Sequence, residues 1–198
     1  MFVTFEGVDW SGKSTQAVLL ADWLRGLGRA VLSTREPGGT PVAEGMRDLV
    51  LHGDDMSPWA EAALYAAARA ENVAAVIRPA LARGEDVVCD RYLDSSVAYQ
   101  GAGRGLGETQ VRDLSLLVTG GLLPDRTFLV LLDPGEARRR AGEHHDRIER
   151  AGEEFMRAVD RGYRALAAAE PDRIVALDGT RPSETIAEEV REHIRPLL

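Results

Sequence analysis

Apolar residues fall into short runs separated by amphipathic stretches, and the two alternate from one end of the chain to the other. Residues 2–5, 30–33, 86–89, 127–132 and 174–177 are runs of β type. Between them the spacing predicts helices over 13–27, 109–118, 148–169 and 182–194, the first stopped by Gly28. Ser57-Pro58 reads as an N-cap with proline at the first helical position. Trp59, Ala63, Ala66, Ala70, Val73 and Ile77 follow at steps of four and three, which predicts one buried helical face. Strands separated by helices are βα units, and these build a parallel sheet covered on both sides. The expectation is one α/β domain over residues 1–198: a three-layer arrangement with a five-stranded parallel sheet and helices on both faces. Two stretches interrupt the pattern. Residues 37–41 are a turn-rich loop after the second strand, and 101–107 carry alternating glycines. Leu106 stands where a dinucleotide fingerprint needs its last glycine, so the second stretch is read as a flexible loop.

Composition narrows the partners. The chain has 198 residues, 44% of them hydrophobic, enough for a sizeable core. Its net charge of -8 argues against wrapping a nucleic-acid backbone, and no apolar run is long enough for a membrane helix. Cys89 is the only cysteine, which excludes a disulfide framework and any multi-cysteine metal site. A cytoplasmic protein is expected. Of 24 basic residues only Lys13 is lysine, which leaves 23 arginines.

That lone lysine lies in Gly7-Val8-Asp9-Trp10-Ser11-Gly12-Lys13-Ser14, which matches G-x-x-x-x-G-K-[ST] between a predicted strand and a predicted helix. Chance matches in such a composition number on the order of 0.001. Glycines let successive backbone N–H groups converge on phosphate oxygens, and the helix N-terminus adds partial positive charge. Lys13 brings a mobile full charge toward the β- and γ-phosphates, and the Ser14 hydroxyl can ligate Mg²⁺. A regulatory GTPase would read guanine with N-K-x-D, which a chain without a second lysine cannot contain. Asp90, Asp133 and Asp178 each end an apolar run and could face the metal; spacing does not choose among them.

A second group of polar residues suits a phosphorylated acceptor. Asp90-Arg91-Tyr92 follows the third strand, at the sheet edge where α/β proteins bind ligands. A helix then carries Ser95, Ser96, Tyr99 and Gln100, the last three on one face. Tyr65 and Arg69, one helical turn apart among alanines, could stack on and hydrogen-bond a nucleobase. Arg138-Arg139-Arg140 and Arg147 fall in a charge-dense segment, about 134–149, that could close as an arginine-rich lid over transferring phosphates.

The P-loop with Asp9, Thr34-Arg35-Glu36-Pro37-Gly38-Gly39-Thr40, Asp90-Arg91-Tyr92 through Ala98-Tyr99-Gln100, and Asp146-Arg147-Ile148-Glu149 occur in the order seen in thymidylate kinases. Over nearly its whole length the chain resembles the bacterial members of that family. The resemblance implies a P-loop NTPase fold and Mg²⁺-dependent phosphorylation of dTMP by ATP in dTTP synthesis, by a homodimer. Residues 7–15, from Gly7 through Val8, Asp9, Trp10, Ser11, Gly12, Lys13 and Ser14 to Thr15, would bind ATP with Arg138. Lys13, Arg91, Asp9 and Arg147 would be the catalytic groups, and Ser14 and Asp90 would hold the metal. Asp9 would bind the sugar 3′-hydroxyl or the metal's water shell. Arg91 and Arg35 would grip the acceptor phosphate beside Glu36 and Pro37, and Tyr65 would stack on thymine where the family usually has Phe. Arg69 would hydrogen-bond the base, Ser96 and Gln100 would line its pocket, and Tyr99 would pack under the deoxyribose, disfavouring a 2′-hydroxyl. Position 10 departs from the family, with Trp in place of Gly or Arg. The alternatives are a P-loop kinase for another small molecule and a non-enzymatic ATP-binding switch protein.

Overall fold

The computed structural model describes residues 1–141, 147–148 and 151–198. Five strands, β1 (Phe2–Glu6), β2 (Val31–Arg35), β3 (Asp86–Asp90), β4 (Arg126–Leu131) and β5 (Ile174–Asp178), pair in parallel in the order β2-β3-β1-β4-β5. β1 is buried throughout, as the central strand of a sheet covered on both sides must be. Its side chains alternate. Val3 and Phe5 pack with Leu20 and Leu24 of α1 (Lys13–Gly26) and Ile186 and Val190 of α9 (Ser183–Ile194). Phe5 stacks on Phe128 in the same layer, ring centroids 5.3 Å apart. Phe2, Thr4 and Glu6 face the other way. Phe2 meets Tyr92 edge-on, and the Thr4 and Thr127 hydroxyls lie 2.8 Å apart.

The opposite layer holds α2 (Pro41–His52), α3 (Pro58–Asn72), the short α4 (Arg78–Ala82) and α5 (Leu93–Ser96), α6 (Glu108–Thr119) and α8 (Glu153–Ala169). α7 (Pro134–Ala141) follows β4 at the carboxyl edge. The three layers and the parallel sheet are those expected from the sequence. Two helices change pitch midway: residues Val73–Ile77 and Val97–Gly103 are π-helical. The second π segment lies flat against α8 at Gly162, where an added Cβ would come within 2.8 Å of the Ala102 Cβ.

α2 is a helix that the sequence pattern did not predict: Thr40 caps it through the Ala43 N–H and Pro41 occupies its first turn. Three expectations are corrected. Trp59 and Ala63 are exposed; the buried face of α3 instead runs through Glu61, Ala62, Ala66, Arg69 and Asn72. The 101–107 stretch is not a loop throughout, since Gly101–Gly103 close the π segment. α8 begins at Glu153, five residues later than position 148. Asp146 and Glu149 of the fourth motif, and part of the 134–149 segment, lie outside the described residues. Among those described, no helix is long and apolar enough to cross a membrane.

Arg173 ties the layers together. Its Nη1 and Nη2 donate to both oxygens of the buried Asp94 at 2.7 and 2.8 Å, and its Nε donates to Glu170 at 2.8 Å. Removing one partner of such a pair strands the other charge. Arg173→Ala is expected to lower unfolding free energy by about 3–5 kcal/mol, read by urea denaturation, with part recovered when Asp94→Ala is added.

Candidate active site

The β1–β3 pairing brings Phe5 opposite Asp90, so the loops leaving these strands run side by side at the carboxyl edge. The first loop turns at once: Gly7 has φ 138°, and a Cβ there would lie 2.5 Å from the Val130 carbonyl oxygen. Gly12 adopts φ 98° and opens α1, whose first residue is Lys13. Lys13 is buried and donates to Asp9 Oδ1 at 3.2 Å. The Ser14 hydroxyl donates to Asp90 Oδ2, while Asp90 Oδ1 is buried with no hydrogen-bond partner. A hydroxyl and a half-used carboxylate at a phosphate loop fit Mg²⁺, which takes one or two protein oxygens and completes its shell with water and phosphate. Of the three candidate aspartates, Asp90 is the one beside Ser14.

Arg91 leaves β3 with φ 69°, an uncommon conformation for a side chain of its size. Its Nη2 donates to Asp9 Oδ1 at 2.7 Å, and its Nη1 donates to Ser95 Oγ at 3.0 Å and to the Tyr163 hydroxyl at 3.2 Å. The guanidinium carbon lies 5.2 Å from the centre of the Tyr99 ring. Burial disfavours the Asp9 charge, yet Arg91 and Lys13 together hold its carboxyl well below the usual carboxylate range. Burial would likewise lower the pKa of Arg91, and the Asp9 carboxylate beside it raises it instead. Behind them Glu6 is fully buried; desolvation, with Asp94 next, pushes its carboxyl up to about 7.

Two cavities meet at Asp9. The larger, about 620 Å³, lies between the phosphate loop and α7 and is lined by Trp10, Pro134, Ala137, Arg138 and Met156. Trp10, with φ 64°, forms part of its rim. Arg139 and Arg140 pair with Glu136, whereas Arg138 has no ion pair among the described residues. The smaller cavity, about 70 Å³, is lined by Glu36, Pro37, Arg47, Tyr65, Arg91, Ser96, Tyr99 and Gln100 among others. Ligand pockets for molecules of drug size run from about 300 Å³, well above this volume.

Most of the acceptor residues expected from the sequence therefore converge. Arg69 stands directly behind the pocket, buried: Nε donates to Glu36 at 2.7 Å, Nη1 to Ser115, and Nη2 to the Tyr92 carbonyl and Ser96 Oγ, the last three at 3.0 Å. Burial raises the Glu36 pKa despite that partner. Two expected residues sit elsewhere. Arg35 is not among the residues that line the pocket and donates to both Glu44 oxygens at 3.0 Å. Arg147 is buried, donating to Glu61 at 2.8 Å and to the Val50 carbonyl at 2.9 Å, and lines neither cavity. Glu61 also accepts from Gln100 and Arg104, which accounts for its burial on a helix face expected to be apolar. Arg47, Tyr163 and Glu6 were not singled out from the sequence. The Thr40-Pro41 start of α2 was the available signal for Arg47, since it repeats the Ser57-Pro58 pattern.

A phosphate loop, a lysine and an arginine joined through one aspartate, and a second pocket across that aspartate define a phosphotransferase of the P-loop class. Comparison with known proteins agrees. The thymidylate kinase family profile matches residues 5–190. The chain is 56% identical over 195 residues to a thymidylate kinase of Leifsonia xyli subsp. xyli, covering 96% of this chain and 92% of that one. It is 50% identical over 200 residues to a thymidylate kinase of Synechococcus sp. (strain JA-3-3Ab), covering 100% and 97%. The crystal structure of thymidylate kinase from Ehrlichia chaffeensis superposes with a TM-score of 0.82 at 32% identity, covering 98% of each chain. The chain belongs to the thymidylate kinase family.

The pocket's back wall and its rim should respond differently to truncation. Arg69→Ala strands Glu36 and is expected to cost about 3–5 kcal/mol of stability. Tyr65→Ala, at the half-buried rim, should cost about 1 kcal/mol or less; urea unfolding of the two variants compares them directly.

Proposed function

We propose that this enzyme transfers the γ-phosphoryl group of ATP to dTMP, yielding ADP and dTDP in the synthesis of dTTP. The observation that carries the reading is the shared Asp9: its Oδ1 holds the phosphate-loop lysine and the acceptor-side arginine together, where the two cavities adjoin. An acceptor phosphate oxygen attacks the γ-phosphorus as the bond from that phosphorus to the β–γ bridging oxygen breaks. The attacking oxygen is already anionic, so no general base is required. Positioning and neutralisation of charge do the rest.

In this reading Lys13 and Arg91 neutralise the phosphates from the donor and acceptor sides, and Asp9 holds both in place. Ser14 and Asp90 would hold Mg²⁺, which when bound offsets charge on the β- and γ-phosphate oxygens. Arg138 is the lid arginine facing the phosphates, because Arg147 is committed to Glu61. Arg47 takes the acceptor-phosphate position expected for Arg35, which braces the loop before α2 through Glu44. Tyr65 stacks on thymine, Tyr99 packs under the sugar, and Ser96 and Gln100 read the base edge, with Arg69, expected there itself, instead bracing Ser96 from behind the pocket. We place the enzyme in the cytoplasm, with Cys89 as a buried free thiol.

ADP formation from ATP·Mg²⁺ with dTMP, dUMP, dCMP, dGMP, AMP and shikimate as separate acceptors tests the assignment. A strong preference for dTMP is expected, and Lys13→Ala should lower turnover by about 10²-fold or more with the fold retained by circular dichroism. Preference for another acceptor would discard the base pocket, and ATP binding with no acceptor used would favour a switch protein.

The assembly is read as a homodimer. Val42 and Leu49 on α2, Trp59 on α3 and Leu117 on α6 are large apolar side chains left exposed on helices that pack against one another. Sedimentation equilibrium should give twice the 21.5 kDa chain mass, and Leu49→Glu should shift the protein toward monomer.

A further inference from the structure

We propose that Glu6 is a positioning residue for acceptor binding: through the hydroxyls of Ser95 and Tyr163 it aims oxygen lone pairs at Arg91. The inference rests on the reading of Arg91 as the acceptor-phosphate ligand.

Glu6 ends β1 on the same face as Phe2 and Thr4 and reaches Ser95, which lines the acceptor pocket. One carboxyl oxygen, Oε1, accepts the Tyr92 backbone N–H at 2.8 Å, which pins the group to the turn that carries Arg91. The other, Oε2, accepts from Ser95 Oγ and, at 3.1 Å, from the Tyr163 hydroxyl. Each hydroxyl has a single proton. With Glu6 ionised, above its raised pKa of about 7, the Ser95 proton is directed to Glu6, and the Tyr163 proton goes either to Glu6 or to Ser95, whose oxygen lies 2.9 Å away. In both cases the lone pairs of the two oxygens are left facing Arg91 Nη1, which donates to them at 3.0 and 3.2 Å. Asp9 fixes the opposite edge of the guanidinium through Nη2. With both edges held, Arg91 is presented in one orientation before a ligand arrives, although its backbone sits in an unfavourable conformation.

The polarity of this relay is what a substitution can reverse. In Glu6→Gln the amide oxygen can still take the Tyr92 N–H, but the amide nitrogen then donates to Ser95 and Tyr163. One hydroxyl can donate to the other across their 2.9 Å contact, and the proton that remains turns toward Arg91, donor against donor. Shape and volume are almost unchanged.

Steady-state kinetics on the intact enzyme test this. In Glu6→Gln, kcat/KM for dTMP should fall by about 10-fold or more, carried mainly by a higher KM for dTMP, with KM for ATP within about 2-fold of the parent. In a Tyr163→Phe, Ser95→Ala background, which has no hydroxyl to reorient, the same change should have little further effect. Equal losses toward both substrates, or full additivity in the triple variant, would overturn the proposal and leave Glu6 a structural carboxylate. Should Glu6→Gln not fold by thermal denaturation, Ser95→Ala and Tyr163→Phe are measured alone, and an unchanged KM for dTMP in both overturns it equally. Failure of the parent enzyme to use dTMP would instead refute the assignment of the acceptor.

Discussion

One carboxylate oxygen organises the site. Asp9 Oδ1 receives Lys13 at 3.2 Å and Arg91 at 2.7 Å, so two cations share a single anionic contact. The cluster keeps one positive charge in excess, held by short bonds at the end of the central strand pair. A polyanion entering here meets charge already in place and need not reorder long side chains to find it. The rest of the fold supplies what that oxygen needs: β1 beside β3, a glycine turn tight enough to bring Asp9 back over the sheet edge, and α1 starting at Lys13.

The same device recurs away from the phosphates. Arg69 is held by Glu36, Arg104 and Arg147 by Glu61, and Arg173 by Asp94, each carboxylate being buried. An arginine-rich chain thus spends much of its charge on internal bracing. Guanidinium forks suit this because several donors leave one plane and can join a carboxylate to backbone carbonyls and hydroxyls at once, as Arg69 does. Sequence spacing cannot separate a bracing arginine from one that faces a ligand. Arg147 and Arg138 lie in one charge-dense stretch, yet the structure ties the first to Glu61 and sets the second on the wall of the larger cavity.

What could be read from the sequence followed local rules. The phosphate loop was legible because its chemistry demands residue types at fixed offsets, and the strands because each is short and apolar. The buried face of α3 was misread because Glu61, Arg69 and Asn72 are polar and buried together, a pairing made by residues on other elements. The alternating glycines of 101–107, lacking the last glycine of a nucleotide fingerprint, suggested a flexible loop, whereas Gly101 packs on Glu108 of α6 and Gly103 on Phe155 and Val159 of α8, contacts that call for small residues. Glu6 gave no signal at all. A carboxylate at the end of an apolar strand means little until Ser95 and Tyr163, far along the chain, are placed beside it.

The narrowness of the acceptor pocket has a thermodynamic side. With about 70 Å³ there, only conformations in which lining side chains such as Arg47 and Tyr65 have moved aside admit a molecule of nucleotide size. Apparent affinity is then the intrinsic affinity scaled by the open fraction. Tightening the packing among those lining side chains would make the fold sturdier and the enzyme a poorer binder at the same time. Such a site has a built-in ceiling on useful rigidity, set by how often a small gap is allowed to open.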